Sequence, residues 1–226
     1  MLDVPVAFII FNRPELTRLV FEEIRKAQPK KLYLIADGPR VSKFGESDLV
    51  SQTRTIVQQI DWPCDVKINF SDTNLGCKNR IVSGLNWVFE NEERAIILED
   101  DCLPNRSFFS FCEQMLERFE SDSHVGLVSG TALTEVAPES RELRLATVPQ
   151  IWGWATWRRT WDLYDASVKD WPSLQETMFI KAKMGTKGGV RNFTSAFAGV
   201  YAGRIDTWDH QLVFTAWKNT GHISEL

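Results

Sequence analysis

The hydrophobic pattern changes character near residue 130. Before that point, short apolar runs alternate with segments whose apolar residues recur every three or four positions. "VPVAFIIF" (4–11) is a run of buried-strand type, and Asn12, Arg13 and Pro14 then read as a helix start. Leu16, Leu19, Val20, Ile24 and Ala27 are expected to form one face of that helix. "KLYLIAD" (31–37) is a second strand, closed by a turn at Asp37-Gly38-Pro39. Leu49, Thr53, Ile56, Val57 and Ile60 mark the next helical face, and "DVKINF" (65–70) a third strand. A helix carrying Ile81, Leu85, Val88 and Phe89 follows, then the strand "RAIIL" (94–98), a helix from Phe108 to Phe119 and the strand "VGLVS" (125–129).

Strands alternating with helices at this spacing predict an α/β fold with a mainly parallel sheet flanked by helices. Ligands of such sheets bind where the loops converge at the carboxyl ends of the strands. Arg13, Asp37 and the run Glu99-Asp100-Asp101 all fall there. Beyond residue 130 a polar stretch (134–147) leads into "IWGWATWRRTWDLYD", a less periodic segment with "KMGTKGGV", and a predicted helix, "TWDHQLVFTAWKN". One domain is expected over 1–226: a binding half to residue 130, then a cap over the sheet edge.

Composition narrows the classes. A net charge of −4 argues against a nucleic-acid surface, which needs a basic face. No apolar run has the length of a membrane span, and "VAFIIF" is too short for a signal peptide. The four cysteines lack paired spacing and read as reduced thiols, which predicts a cytoplasmic location.

The chemistry is in the acids. Three consecutive carboxylates at the end of a central-type strand must protonate or find a cation, although such a run can also be a solvated turn. Mn²⁺ or Mg²⁺ suits them, because hard cations take oxygen ligands and complete their shell with substrate phosphates. Phosphorelay receiver domains also carry strand-end acids, but they are about half this length. Asp37 alone could be a turn residue and Arg13 a solvated helix-start residue. "NLGCKNR" (74–80) has no standard phosphate-loop spacing.

"PVAFIIFNRPELTRLVFEEI", "LIADG", "NRIVSGLNWVF" and "ILEDDCLPNRSFFSFCEQML" together resemble metal-dependent glycosyltransferases of the GT-A type. The resemblance is strongest to N-acetylglucosaminyltransferase I and bacterial family-2-like sugar transferases. It covers residues 4–130 well and the Trp-rich tail more loosely. It implies a GT-A, Rossmann-like fold, with nucleotide contacts from Arg13, a uracil contact from Asp37, and Arg80 near the nucleotide or its phosphates. Glu99 and Asp100 would approach the donor sugar and ribose, and Asp101 would be the direct metal ligand. "WGW" (152–154), with Trp154, resembles a segment that walls the donor sugar, and Asp209 matches a catalytic base. His210 stands where the family has a second acid, so the base is Asp209 or His210. The bacterial relatives continue past a segment like "WKNTG" to a histidine that can reach the metal. The expectation is therefore a truncated chain, or a metal shell completed by water.

The expected activity is inverting transfer of a sugar from a UDP-sugar, first guess UDP-GlcNAc, to a hydroxyl of a saccharide or lipid-linked saccharide, in surface-glycan synthesis. Peripheral membrane contact is compatible with that. Trp157 and Trp161 read as core, whereas Trp152, Trp154 and Trp208 are candidates for stacking on sugars. Two rivals stand beside this reading. One is a sugar-1-phosphate nucleotidyltransferase, which should carry a Gly-rich loop after strand one. The other is a nucleotide- or carbohydrate-binding module without chemistry.

Overall fold

The computed structural model describes residues 1–131, 144–219 and 222–225. The first half runs β1 (Val6–Ile10), α1 (Pro14–Ala27), β2 (Lys31–Ala36), α2 (Glu46–Val57), β3 (Asp65–Phe70), α3 (Cys77–Asn91), β4 (Arg94–Glu99), α4 (Phe108–Arg118) and β5 (Val125–Ser129). Then come β6 (Arg144–Ala146), β7 (Trp154–Trp157), α5 (Arg158–Trp161), α6 (Trp171–Leu174), α7 (Phe179–Lys183), α8 (Lys187–Tyr201), α9 (Asp209–Asn219) and β8 (His222–Glu225). Much of the expected polar stretch 134–147 lies outside the described residues.

The strands form one sheet in the order β3-β2-β1-β4-β7-β5-β8-β6. β3, β2, β1 and β4 are parallel, while β7 runs antiparallel between β4 and β5. This is the expected α/β fold: a mainly parallel, Rossmann-like sheet with helices on both faces. Alternate residues of each strand enter opposite cores. Val6, Phe8, Leu32, Leu34, Ile96 and Leu98 pack with α1, α2 and α4. Ala7, Ile9, Tyr33, Ile35 and Ile97 pack with α3 and with Trp154, Trp208 and Leu212. Burial on both faces explains why these strands read as unbroken apolar runs. A third cluster, around Trp171, Phe197, Phe214 and Trp217, joins α6 to α9.

Three expectations need correction. The buried face of α1 is Thr17, Val20, Phe21 and Ile24, whereas Leu16 and Leu19 face solvent. The i, i+3, i+4, i+7 spacing holds, but a buried threonine opens it. Similarly, α2 buries Val50 rather than Leu49, and ends before Ile60. The Trp-rich segment is also more than a cap, because "WATW" is a fully buried strand at the centre of the sheet. A four-residue run buried on both faces has no alternation to betray it.

Beneath the sheet edge, buried Glu46 ties the loop after β2 to the loop after β1. It accepts hydrogen bonds from the Arg40 backbone N–H at 2.6 Å, the Arg40 guanidinium and the Asn12 amide at 2.9 Å. Arg40 above all holds the Glu46 carboxyl down at about 2, against an ordinary 4.5. A carboxylate depressed by folding stabilises above its unfolded pKa, and that contribution is lost as pH falls from about 4.5 towards 2. The gap in urea midpoint between the native chain and Glu46→Gln is therefore expected to be full at pH 6 and to shrink towards pH 3. A gap independent of pH would remove this linkage.

Candidate active site at the carboxyl edge of the sheet

Where β1 and β4 end side by side, Arg13 meets the acid run. Its Nη1 donates to Asp100 Oδ1 at 3.2 Å and also to Asp101 Oδ2. Asp100 is buried, and its Oδ2 accepts the Phe11 backbone N–H at 3.1 Å. Burial pushes the Asp100 carboxyl up, and Arg13 opposes that shift. Glu99 is pushed up to about 7, by burial first and then by the charges of Asp101 and Asp100. One guanidinium thus serves three carboxylates, and the edge holds surplus negative charge.

A cavity of about 230 Å³ opens beside this cluster, lined by Arg13, Asp37, Arg80, Glu99 and Asp100 among others. A larger cleft, about 610 Å³, lies between the N-terminal segment, α1 and α4, and holds none of the expected site residues. Chemistry, not volume, selects the smaller one.

Asp37 organises the cavity wall. Its Oδ1 accepts the backbone N–H groups of Gly38 and Leu75, each at 2.9 Å. Its Oδ2 accepts Gly76 N–H and Asn74 Nδ2, each at 3.0 Å. A carboxylate has about four lone-pair positions, and all four are taken within the chain. The uracil contact implied for Asp37 therefore finds no free acceptor here. What the carboxylate fixes is the loop 74–76. Two glycines permit this: a Cβ on Gly38 would sit 2.5 Å from the Thr73 carbonyl carbon, and Gly76 has φ 78° and ψ 159°, a region almost closed to other residues. Arg54 adds a clamp from α2, donating to the Asp37 carbonyl at 3.0 Å and to the Ser71 carbonyl.

Asp37→Ala is accordingly expected to loosen the loop and to weaken UDP, CDP and GDP alike, as measured by calorimetry. A loss confined to uridine nucleotides would restore direct base contact.

Arg80, one turn into α3, is buried and donates only to Asn69, at 3.1 Å to Oδ1 and 3.2 Å to the carbonyl. Its Nε has no partner, no carboxylate pairs with it among the described residues, and burial lowers its pKa. The uncapped N-terminus of α3 reaches the same cavity through Gly76 and Cys77. A buried cation beside a helix N-terminus is an arrangement that favours negative charge. "NLGCKNR" has no phosphate-loop spacing, but a glycine immediately before a helix was its legible signal. Asn74, Cys77, Phe11 and Arg40 also line the cavity, and the sequence did not single them out.

On the other side of the site, α9 begins at Asp209, two residues later than the predicted helix, and Asp206 lies in the exposed loop before it. Asp209 Oδ1 accepts the His210 backbone N–H at 2.7 Å and the Thr207 hydroxyl. The His210 ring Nδ1 is 3.9 Å away. Trp154 and Trp208 are expected sugar platforms that the structure rules out. They are 1% and 4% exposed and stack on each other at 6.0 Å, inside the core. Trp157 and Trp161 are core as expected, and Trp152 alone of that stretch is open, at 60%.

Among the described residues no three His, Cys, Asp or Glu side chains converge as a metal cage. The edge nevertheless fits a hard cation that takes most of its ligands from phosphate and water. Asp101 is half exposed, and a cation would relieve the repulsion of Asp101 and Asp100 that adds to burial in raising Glu99. No helix among the described residues is long and apolar enough to cross a membrane.

No family model matches the chain, and no curated protein does. Solved structures similar to it include 4-diphosphocytidyl-2C-methyl-D-erythritol synthase from Anaerococcus prevotii, at TM-score 0.47 and 7% identity over 99% of this chain and 86% of that one. CMP:2-keto-3-deoxy-manno-octonic acid synthetase complexed with CTP gives 0.42 and 13%, over 88% and 87%. UDP-glucose pyrophosphorylase complexed with UDP-glucose gives 0.37 and 11%, over 86% and 88%. At such scores the reaction has to be argued from the site itself.

Proposed function

We propose that this chain is a divalent-cation-dependent transferase that binds a UDP-sugar in the 230 Å³ cavity and passes the sugar to a hydroxyl acceptor. One observation carries the reading. Arg13, Asp37, Arg80, Glu99 and Asp100 line one cavity at the carboxyl edge of the sheet, and Asp209 lines a separate cleft of about 210 Å³.

Arg13 and Glu99 would orient the donor, and Arg80 with the N-terminus of α3 would receive its negative charge. Asp209 would take the acceptor proton on the face opposite the leaving group. Asp101 would hold the cation, which when bound supplies Lewis-acid stabilisation of charge developing on the diphosphate. Such stabilisation is often the largest single contribution to catalysis.

Nucleotidyl transfer is the second reading. Of the structures named above, one is complexed with CTP and one with UDP-glucose, and the same cavity is open to a nucleoside triphosphate. Against it, the loop after β1 is Phe11-Asn12-Arg13 running directly into α1, with no glycine. The test is to supply UDP-GlcNAc, other UDP-sugars, or UTP and CTP with sugar 1-phosphates, each with Mn²⁺. Release of UDP supports glycosyl transfer. Release of pyrophosphate without UDP would establish the second reading, and UDP binding without either product would leave a binding module.

A further inference from the structure

Between Thr177 and Ile205 the chain carries five Lys and Arg and no Asp or Glu, although its net charge is −4. Four of the five cluster at one place. Lys181 and Lys183 lie on α7, and Lys187 and Arg191 on the first two turns of α8. Lys181, Lys187 and Arg191 are exposed and Lys183 is half-buried. Met178, the residue before α7, is 64% exposed. We propose that this surface of α7 and α8 docks the protein on an anionic lipid surface, with the four cations among the headgroups and Met178 at the apolar boundary.

The start of α8 is built against local stability. A helix N-terminus carries partial positive charge and favours acids in its first turn, yet α8 has no acid there and opens on Lys187. Lys187 and Arg191 are four positions apart, so two like charges repel across one face. The inward face is fully used, by Phe193, Phe197 and Val200 in the third core cluster. Positions that break local rules with no gain in packing are where function is expected. An anionic surface supplies the missing gain, because it offsets both repulsions at once.

The kind of cation selects among anionic partners. Four or more basic residues gathered on an amphipathic helical surface form the pattern that anionic lipids attract. Three of the four here are Lys, point charges on long flexible stems that suit a fluid array of headgroups. Fixed carboxylates on a protein partner would favour the planar fork of Arg. Nucleic acid is disfavoured by the negative charge of the chain as a whole. Because α8 also lines the cleft of Asp209 through Asn192 and Phe193, docking here sets how far that cleft stands from the lipid.

The test is flotation of the full chain with vesicles of phosphatidylcholine alone and of phosphatidylcholine mixed with phosphatidylglycerol, at low and high salt. Nucleotide and metal are left out, so the outcome does not depend on the transfer reading. Binding is expected to the mixed vesicles only, and should fall at high salt as the charges are screened. Each basic residue should contribute roughly fivefold, so Lys181→Gln, Lys187→Gln and Arg191→Gln combined should lower binding by about a hundredfold. Lys187→Glu separates docking from folding. It puts an acid at the helix start and pairs it with Arg191, so it should weaken vesicle binding while the melting temperature stays level or rises. Equal binding to neutral and anionic vesicles, no binding to either, or undiminished binding by the triple variant would overturn the inference. Capture by polyglutamate without vesicle binding would make the partner an acidic protein and would overturn it too.

Discussion

Asp209→Asn is expected to keep UDP-sugar affinity and to lower transfer by at least about a hundredfold, the low end of general-base effects. The substitution is clean because asparagine keeps an oxygen where Asp209 Oδ1 accepts the Thr207 hydroxyl and the His210 N–H. Both of these bonds go to Oδ1, so Oδ2 is the oxygen left to take a proton. Asparagine cannot do that. His210 is the rival base, since it lines the same cleft and its Nδ1 lies 3.9 Å from Asp209. The pair is separated by comparing Asp209→Asn with His210→Ala in single-turnover transfer. A normal rate for the first with a dead second assigns the proton to His210. Asp206→Asn is the control: exposed and outside α9, Asp206 should tolerate the change with little effect on either rate or stability.

The parallel half of the fold was legible because each strand is a continuous apolar run between helical faces. The ends of β1, β2 and β4 then put Arg13, Asp37 and the acids at one edge, and Arg13, Asp37, Glu99 and Asp100 do line one cavity. What escaped was set by tertiary packing. Nothing in "WATW" says that it leaves the tail to pair with both β4 and β5. Aromatic richness suggested sugar contact for Trp154 and Trp208, but a large ring is also what fills a core, and these two fill it. The saturation of Asp37 was equally invisible, because three of its four donors come from residues 74–76, nearly forty positions away. A turn aspartate and a ligand-binding aspartate look the same in a sequence.

Asp101→Ala should abolish the Mn²⁺-dependent part of UDP binding while leaving the circular dichroism of the folded sheet intact. The three acids differ in what they support, and this makes Asp101 the informative one. Asp100 is buried and accepts the Phe11 N–H, so its removal strands a backbone donor and costs stability. Glu99 is the last residue of β4. Asp101 lies just past the strand, half exposed, and its partner Arg13 keeps a second carboxylate in Asp100 when Asp101 is gone. Loss of an outer-shell partner alone typically costs ten- to a hundredfold in metal affinity, so loss of a direct ligand should cost about a hundredfold or more. The measurement is UDP calorimetry with Mn²⁺ and with EDTA, alongside Mn²⁺ binding by electron paramagnetic resonance in the absence of nucleotide. In the native chain EDTA should weaken UDP, and in the variant the two conditions should coincide. If the variant responds to EDTA as the native chain does, Asp101 is not the ligand, and its role is to share Arg13 with Asp100.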